Sequence, residues 1–404
     1  MAAVIDPDMF ANLAPFAFHL FSALATSTTS SENILLSPLS IASSLAMVWA
    51  GVTKSSTADL EFQKVMGVAL QKHIPNLLSL LHVQSSDSML SMANSLWSSK
   101  SVHPLYLSDV KNYASVETTL PSTFDPINDW VSTNTHGKIP QLFEANTALD
   151  PLTVAIAVNA IHFQGSWMSS FDPKRTTPGR FRTLQNEDVT ANFMTKSMML
   201  PVADSVTELG GASVVRLDYG METKESCEGA QCEEDHEVEA KFCALFVLPD
   251  ENTQTSLQNA ISGLSEIASW REVLKVQNKK SGPNSFFSKK TVSLSLPKFK
   301  LTQGPQSLKP ILEKAGLSAV FQGSNQFLQM TPNDPDTHLD DVVAAATLEV
   351  TEEGTVATAA TGAIMMSRSL PYRMEFNRPF IMMVMHVQTG TPLFITQLTY
   401  PDFI

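Results

Sequence analysis

A run of ten small, uncharged residues constrains the fold more than any other feature of the sequence. It covers residues 354–363 and directly follows the strand-like segment Thr347–Thr351. Exposed loops are usually polar, with Asp, Asn, Lys and Pro, none of which occurs in this run. The composition is therefore typical of a segment that packs in a tight interior. On a strand, one face would carry its alternate residues, Thr355, Ala357, Ala359, Thr361 and Ala363. The pattern predicts a strand that has not yet been buried, with a flexible linker as the alternative.

Helices and strands are distributed unevenly along the chain. An amphipathic first helix is expected over Phe16–Leu24, and further helices over 37–51, 125–137 and 307–316, where a Ser or Asp precedes a Pro or an apolar face and a Gly follows. Strands are expected at 154–163, 243–248, 291–296, 380–387 and 393–398. Helices dominate the first third and strands the rest, which predicts an α+β fold. No linker or repeat divides the chain, so we expect one domain over 1–404.

Composition excludes several classes of protein. Apolar residues make up 43% of the 404 residues, which is enough for a large core and argues against disorder. No apolar run approaches the roughly 20 residues that span a bilayer. The net charge of −13 argues against nucleic acid and anionic membranes as partners. Three Cys cannot form a disulfide framework.

The first basic residue is Lys54, so the N-terminal region lacks the charge pattern of a secretory signal. The sequence also has no Asn-x-Ser/Thr glycosylation site. We therefore expect a cytoplasmic protein, or one that reaches the extracellular space by a non-classical route.

An acidic insertion at about 222–239 holds eight acidic residues and one Lys. This composition predicts a solvated surface loop. Its Cys227 and Cys232 could be bridged in an oxidising compartment, or remain free thiols in a reducing one.

Motifs for catalysis are missing from the sequence. We find no Gly-x-Ser-x-Gly elbow, no His-Glu-x-x-His and no Gly-rich phosphate loop, and the nine His are scattered without a ligand-like pair. We therefore expect no enzyme activity, no metal site and no cofactor.

Six sequence blocks, in order, resemble those of the serpin family. They are Asn33–Ile41, Ile127–Ile139, Val158–Trp167, Leu296–Leu301, Glu352–Thr355 and Phe376–Phe380. The resemblance runs from about Phe16 to Pro401. It implies three β-sheets, eight or nine helices and an exposed reactive-centre loop at about 352–375.

The resemblance also implies a function, the inhibition of serine proteases by suicide inhibition. The protease cleaves the loop, forms an acyl-enzyme and is inactivated when the loop inserts into the central sheet. Two family spacings, sixteen residues after Glu352 and eight before Phe376, place the reactive bond between Arg368 and Ser369. An Arg at this position implies a trypsin-like target. The implied partner is that protease, bound covalently to a monomer that can also form loop–sheet polymers.

Further site residues follow from the same resemblance. The implied hinge comprises Glu352, Gly354, Thr355, Ala357, Ala359, Ala360 and Thr361. Those on the inward face should tolerate no charge, whereas Val356, Thr358 and Ala360 should face outward and tolerate more. The implied sheet-opening region comprises Ser37, Ser40, Asn159, Trp167 and Ala344. We expect Asn159 to bond Ser37 or Ser40.

Three features of the sequence depart from the family pattern. Ala344 stands where inhibitory serpins usually carry a His, and Thr396-Gln397 replaces a Gly-Arg pair. The acidic insertion is longer than the usual connection. The replacement at Ala344 could ease loop insertion or raise polymerisation. The alternative function within the family is a non-inhibitory serpin, acting as a carrier, chaperone or storage protein, but such members tend to have bulky, charged or Pro residues in the hinge, and this hinge has none.

Overall fold

The computed structural model describes residues 13–26, 32–81, 88–99, 101–112, 114–137, 139–220, 240–274, 285–355 and 371–401. Most of the predicted reactive-centre loop, including Arg368 and Ser369, lies outside the described residues. The acidic insertion with Cys227 and Cys232 also lies outside them.

Nine α-helices occur in the described part of the chain. They are α1 Leu13–Ala25, α2 Pro38–Ala50, α3 Thr57–Val65, α4 Val68–Leu81, α5 Pro104–Val110, α6 Asp125–Asn134, α7 Gln254–Gly263, α8 Trp270–Leu274 and α9 Lys309–Lys314. All four predicted helices are present, but α9 is shorter than expected because residues up to Ser307 belong to a strand.

One predicted helix cap is wrong. The Ser37 hydroxyl does not cap α2 but donates 2.9 Å to the carbonyl oxygen of Leu393. Pro38 at the first helical position still fits the start of α2, because its missing N–H would have had no partner in the helix.

Fifteen strands are described. They are β1 Ile34–Leu36, β2 Ser88–Ser98, β3 Ser115–Glu117, β4 Ala155–Ser166, β5 Thr177–Arg182, β6 Asp188–Val206, β7 Ala212–Asp218, β8 Phe242–Leu248, β9 Ser288–Pro297, β10 Phe299–Ser307, β11 Val343–Val350, β12 Gly354–Thr355, β13 Tyr372–Glu375, β14 Phe380–His386 and β15 Thr391–Leu398. The five predicted strands correspond to β4, β8, β9, β14 and β15. The α+β class is therefore confirmed.

The strands form two hydrogen-bonded networks. The larger runs β1-β15-β14-β8-β7-β6-β9-β13, with β5 also paired to β6. The smaller runs β10-β11-β4-β2-β3, with the short β12 also paired to β4. The long β6 pairs with β7 near its C-terminal end and with β5 and β9 along the rest. Division of the larger network at β6 therefore gives the expected three sheets.

The core lies between the two networks. Every residue of β8, β14 and β15 is buried. The helix α2 is buried along almost its whole length and contacts both β4 and β15. On the opposite face of the smaller network, α6 packs through Ile127 and Val131 against Val158 and Ala160 of β4. Thus β4 is covered on both faces. None of the described helices is long and apolar enough to cross a membrane.

Candidate functional site

The seam between β4 and β11 is a weakly paired part of the smaller sheet. These parallel strands are joined at only two residue pairs, Ala346 with Ile161 and Thr347 with His162. By contrast, β4 pairs with β2 at every residue from Ser88 to Ser98. Opening the sheet at β4 and β11 therefore breaks far fewer backbone hydrogen bonds than opening it elsewhere along β4.

The end of this seam beside the C-terminal residues of β4, called its upper end below, already holds the start of the predicted hinge. The chain leaves β11, turns at Glu352 and Glu353, and returns as β12. Gly354 pairs with Ser166 and Thr355 with Gly165, antiparallel to β4. A strand that continues from Thr355 in this direction would run down the seam. Ala357, Ala359, Ala360 and Thr361 lie outside the described residues.

Gly354 is required by its backbone and by its surroundings. Its φ of +130° is one that side chains rarely adopt, and a Cβ there would come within 2.2 Å of the Gly165 carbonyl oxygen. The turn is also held by two backbone hydrogen bonds between Thr351 and Gly354. The hinge thus begins in a single, closely fitted conformation.

Trp167 joins the end of β4 to this turn. Its indole Nε1 donates 3.0 Å to the Thr351 carbonyl oxygen, and its backbone N–H donates 2.8 Å to the carbonyl of Glu353. Its ring stacks on Tyr219 with centroids 4.5 Å apart. Trp167 is buried, so these bonds are shielded from water.

Glu352 is a buried carboxylate at the turn. It accepts a 2.7 Å hydrogen bond from the Thr176 hydroxyl and pairs with the Lys298 ammonium at 3.0 Å. Burial alone would raise the pKa of Glu352, but these hydrogen bonds and the charge of Lys298 outweigh it and hold the pKa below its usual value. The carboxylate is therefore ionised. It connects the turn to Thr176, which directly precedes β5, and to Lys298, which lies between β9 and β10.

A second polar group lies midway along β4. The Ser40 hydroxyl of α2 donates to Asn159 Oδ1, and Asn159 Nδ2 donates to Asn94 Oδ1 on β2. Of the two predicted partners, Ser40 is therefore the one that bonds Asn159. The backbone of Ala344 pairs with Gln306 at the far side of the seam.

Sequence reasoning did not find Asn94, Lys298 or Thr176 as members of these groups. Asn94 lies directly opposite Asn159 in the antiparallel pairing, but β2 was not predicted as a strand, so this partnership had no sequence signal. Lys298 lies in one of the serpin-like blocks, yet its partner depends on the turn at Glu352.

The site is suited to accept a strand. It combines the weakly paired seam, the turn from which β12 enters the seam, and the hydrogen-bonded side chains of Ser40, Asn159 and Asn94. In the described part of the chain, no group of three or more His, Cys, Asp or Glu is placed to hold a metal ion.

Comparisons with known proteins agree with this architecture. The family model described as Serpin (serine protease inhibitor) matches residues 11–401. Serpin B8 of Homo sapiens is 28% identical over 403 residues, covering 96% of this chain and 97% of its own length. Serpin A3-1 of Bos taurus is also 28% identical, covering 96% of this chain and 88% of its own length.

Solved structures share the fold at lower identity. Human thyroxine-binding globulin complexed with thyroxine superimposes with a TM-score of 0.78 at 24% identity, covering 98% of this chain and 99% of its own. Uncleaved ovalbumin gives a TM-score of 0.75 at 21% identity, covering 97% of this chain and 100% of its own.

Proposed function

Because the chain belongs to the serpin family, we propose that it inhibits a trypsin-like serine protease as a suicide substrate. The observation that carries this proposal is the entry of β12 into the upper end of the seam between β4 and β11. Insertion of a cleaved loop into the central sheet is a known property of the family, and the two residue pairs between β12 and β4 lie where such an inserted strand would begin.

The register of β12 extends naturally to the rest of the hinge. Three further inward pairs would form, Ala357 with Phe163, Ala359 with Ile161 and Thr361 with Asn159. On β4, Ile161 and Phe163 face the main core, so only small, uncharged hinge residues fit opposite them.

The opposite face of the inserted strand would not be free. The same register places Ala360 opposite Ala160, which packs against α6. In this inserted state Ala360 would still face away from the main core, but α6 covers this part of β4, so we propose that it tolerates less substitution than Val356. Val356 would lie opposite Gln164, which is partly exposed, and remains the more tolerant position.

The proposed covalent step follows ordinary serine protease chemistry. The protease serine Oγ attacks the carbonyl carbon of Arg368, and the peptide bond to Ser369 breaks. The new amino group of Ser369 takes the proton from the protease histidine, and Arg368 becomes an ester of the protease. Insertion before hydrolysis traps this ester. Arg368 suits trypsin-like enzymes because the Asp in their primary pocket pairs with a guanidinium. The chain itself acts as an inhibitor and not as an enzyme.

The deciding experiment is to mix the purified protein with trypsin and run a denaturing gel. We expect a complex that survives SDS, and a released peptide that begins at Ser369 by mass spectrometry. Arg368→Ala should abolish the complex with trypsin. A cleaved band without complex would favour a non-inhibitory serpin, a carrier for example, as the name of thyroxine-binding globulin indicates for that protein. A peptide that begins elsewhere would refute the assignment of the bond.

A further inference from the structure

The C-terminal end of the predicted loop is held by a second group of side chains, far along the chain from the hinge. The described chain resumes at Pro371 and enters β13 at Tyr372. β13 pairs in parallel with β9, with Tyr372 opposite Val292. β9 in turn pairs with β6. Side chains of three neighbouring strands therefore meet around Tyr372.

Lys290 and Asp204 hold the Tyr372 side chain. The Lys290 ammonium lies over the Tyr372 ring, 5.0 Å from its centroid, and forms an ion pair with Asp204. The Tyr372 phenol is hydrogen-bonded to Asp204 and to Ser213. Burial, followed by the hydrogen bond and the charge of Asp204, raises the pKa of Tyr372, so the phenol keeps the proton that it donates to Asp204. Tyr372, Lys290 and Asp204 are called the clamp below.

Tyr372 of the clamp is close in the sequence to the proposed reactive bond. Only Ser369, Leu370 and Pro371 separate the bond from Tyr372, whereas residues 356–368 separate it from Thr355 at the other anchor. Three residues reach at most about 10 Å, and Pro371 restricts this leg further. The position of the bond in space is therefore governed by the clamp much more than by the hinge.

We infer that the clamp is a positioning device, which presents the Arg368–Ser369 bond to the protease and so sets the rate of acylation. This inference rests on the proposed function. After cleavage, Tyr372 belongs to the C-terminal segment that begins at Ser369, whereas the segment that inserts ends at Arg368. It therefore governs how fast the bond is attacked, and not whether the acyl-enzyme is trapped or hydrolysed.

Rate and stoichiometry of inhibition separate these two roles. For Tyr372→Ala we expect the second-order rate of association with trypsin to fall about fivefold, since the loss of a cation–π contact and a hydrogen bond frees the leg. The stoichiometry of inhibition should stay at the wild-type value. Tyr372→Phe keeps the ring over Lys290 and should lose only part of the rate. Lys290→Gln should slow association as Tyr372→Ala does.

Two substitutions provide matched controls. Tyr400 is 38% exposed, the same fraction as Tyr372, but follows β15 away from the loop. Lys300 forms an exposed ion pair with Glu349. Tyr400→Ala and Lys300→Gln should leave the association rate unchanged. Melting curves would show whether each variant is folded. If Tyr372→Ala does not fold, the association rate of Lys290→Gln tests the clamp instead.

Three outcomes would contradict the proposal that the clamp sets the rate of acylation. They are an unchanged rate in both Tyr372→Ala and Lys290→Gln, an equal loss of rate in the controls, or a rise in stoichiometry that matches the loss of rate. If wild-type protein forms no complex, the proposed function fails separately. The clamp is then tested by the rate at which trypsin cleaves after Arg368, which should fall by the same factor in the two clamp variants and not in the controls.

Discussion

The indole Nε1 of Trp167 donates a 3.0 Å hydrogen bond to the carbonyl oxygen of Thr351. These residues are separated by 184 positions in the sequence. The bond fastens the end of β4 to the start of the hinge turn. It thereby fixes the place at which β12 enters the seam, and the backbone N–H of Trp167 strengthens the same attachment through Glu353.

Trp167→Phe should loosen this attachment while most of the aromatic packing on Tyr219 is kept. We expect the free energy of unfolding to fall by about 1–2 kcal/mol, because one buried hydrogen bond is lost and the Thr351 carbonyl is left without this partner. Denaturant unfolding followed by circular dichroism measures the change. Trp97→Phe is the control, since it removes a 3.0 Å indole bond to Ser95 within β2. An equal loss in both variants would argue against a special role for Trp167.

The ion pair between Lys298 and Glu352 should contribute more to stability than the one between Lys300 and Glu349. The side chains of the first pair are 21% and 10% exposed, those of the second 50% and 27%. Lys298→Met should cost about 1–3 kcal/mol because it leaves a buried carboxylate with fewer partners. Lys300→Met should cost less than about 0.5 kcal/mol. Equal costs in thermal or denaturant unfolding would contradict this ranking.

The Glu352 carboxylate should also make stability depend on acid. Its pKa is held below the usual 4.5 in the folded chain, so the unfolded chain takes up protons first as the pH falls. The stabilisation is complete above about pH 4.5 and is lost as the pH falls through the folded pKa. Glu352→Gln should flatten this part of the stability profile relative to wild type. A slope that persists unchanged in the variant would assign it to other carboxylates.

The fold was predictable where one local pattern dominates. α2 begins at Pro38 as its Pro predicts, and the buried strands β8, β14 and β15 appear as continuous apolar runs in the sequence. β2 was missed because Ser, Met, Ala and Asn alternate in it without a clear apolar face. It becomes a strand through its pairing with the whole length of β4, a contact between distant parts of the chain.

The site was predictable only as far as family resemblance reaches. Asn159, Trp167 and Glu352 were found in this way, but their partners depend on tertiary structure. The Ser37 hydroxyl illustrates this, since a good local cap instead bonds the carbonyl of Leu393, 356 residues away. The clamp had no sequence signal, because Asp204, Lys290 and Tyr372 become neighbours only through the pairing of β6, β9 and β13.

His386 should destabilise the folded chain in mild acid. It is buried between Phe242 and Thr389, and burial, helped by the charge of Lys241, lowers its pKa to about 4 from an ordinary 6.5. Between these values only the unfolded chain binds the proton, so stability falls as the pH drops from 6.5 to 4. The full loss is about 3 kcal/mol. His386→Gln should be less stable at pH 7 but show no such fall, measured by denaturant unfolding across this range. A parallel slope in both proteins would exclude His386 as the cause.

Charges on the inward face of the hinge should convert the protein from an inhibitor to a substrate. Continued along β4, the backbone register that pairs Thr355 with Gly165 places Ala359 opposite the core residue Ile161. Ala359→Glu would bury an unpaired charge on insertion, at a cost of several kcal/mol. Thr355→Arg would put a charge at the existing pair with Gly165, from which the inserted strand must extend. Insertion would slow, while the Arg368–Ser369 bond would remain as accessible to trypsin as before. Hydrolysis of the acyl-enzyme would then finish before the protease is trapped.

Three measurements test this conversion together. Denaturing gels should show cleavage after Arg368 with little stable complex in both variants, and melting curves should show little gain in stability on cleavage. Wild-type protein should melt far higher once cut, because the added strand buries backbone groups and side chains in the seam. Val356→Arg is the matched control, since Val356 would lie opposite the partly exposed Gln164, and it should keep most of the complex. Two results would show that the chain does not insert its loop: inhibition of trypsin by both inward variants at wild-type stoichiometry, or a cleaved wild-type protein that melts no higher than the intact one. The protein would then be a non-inhibitory serpin.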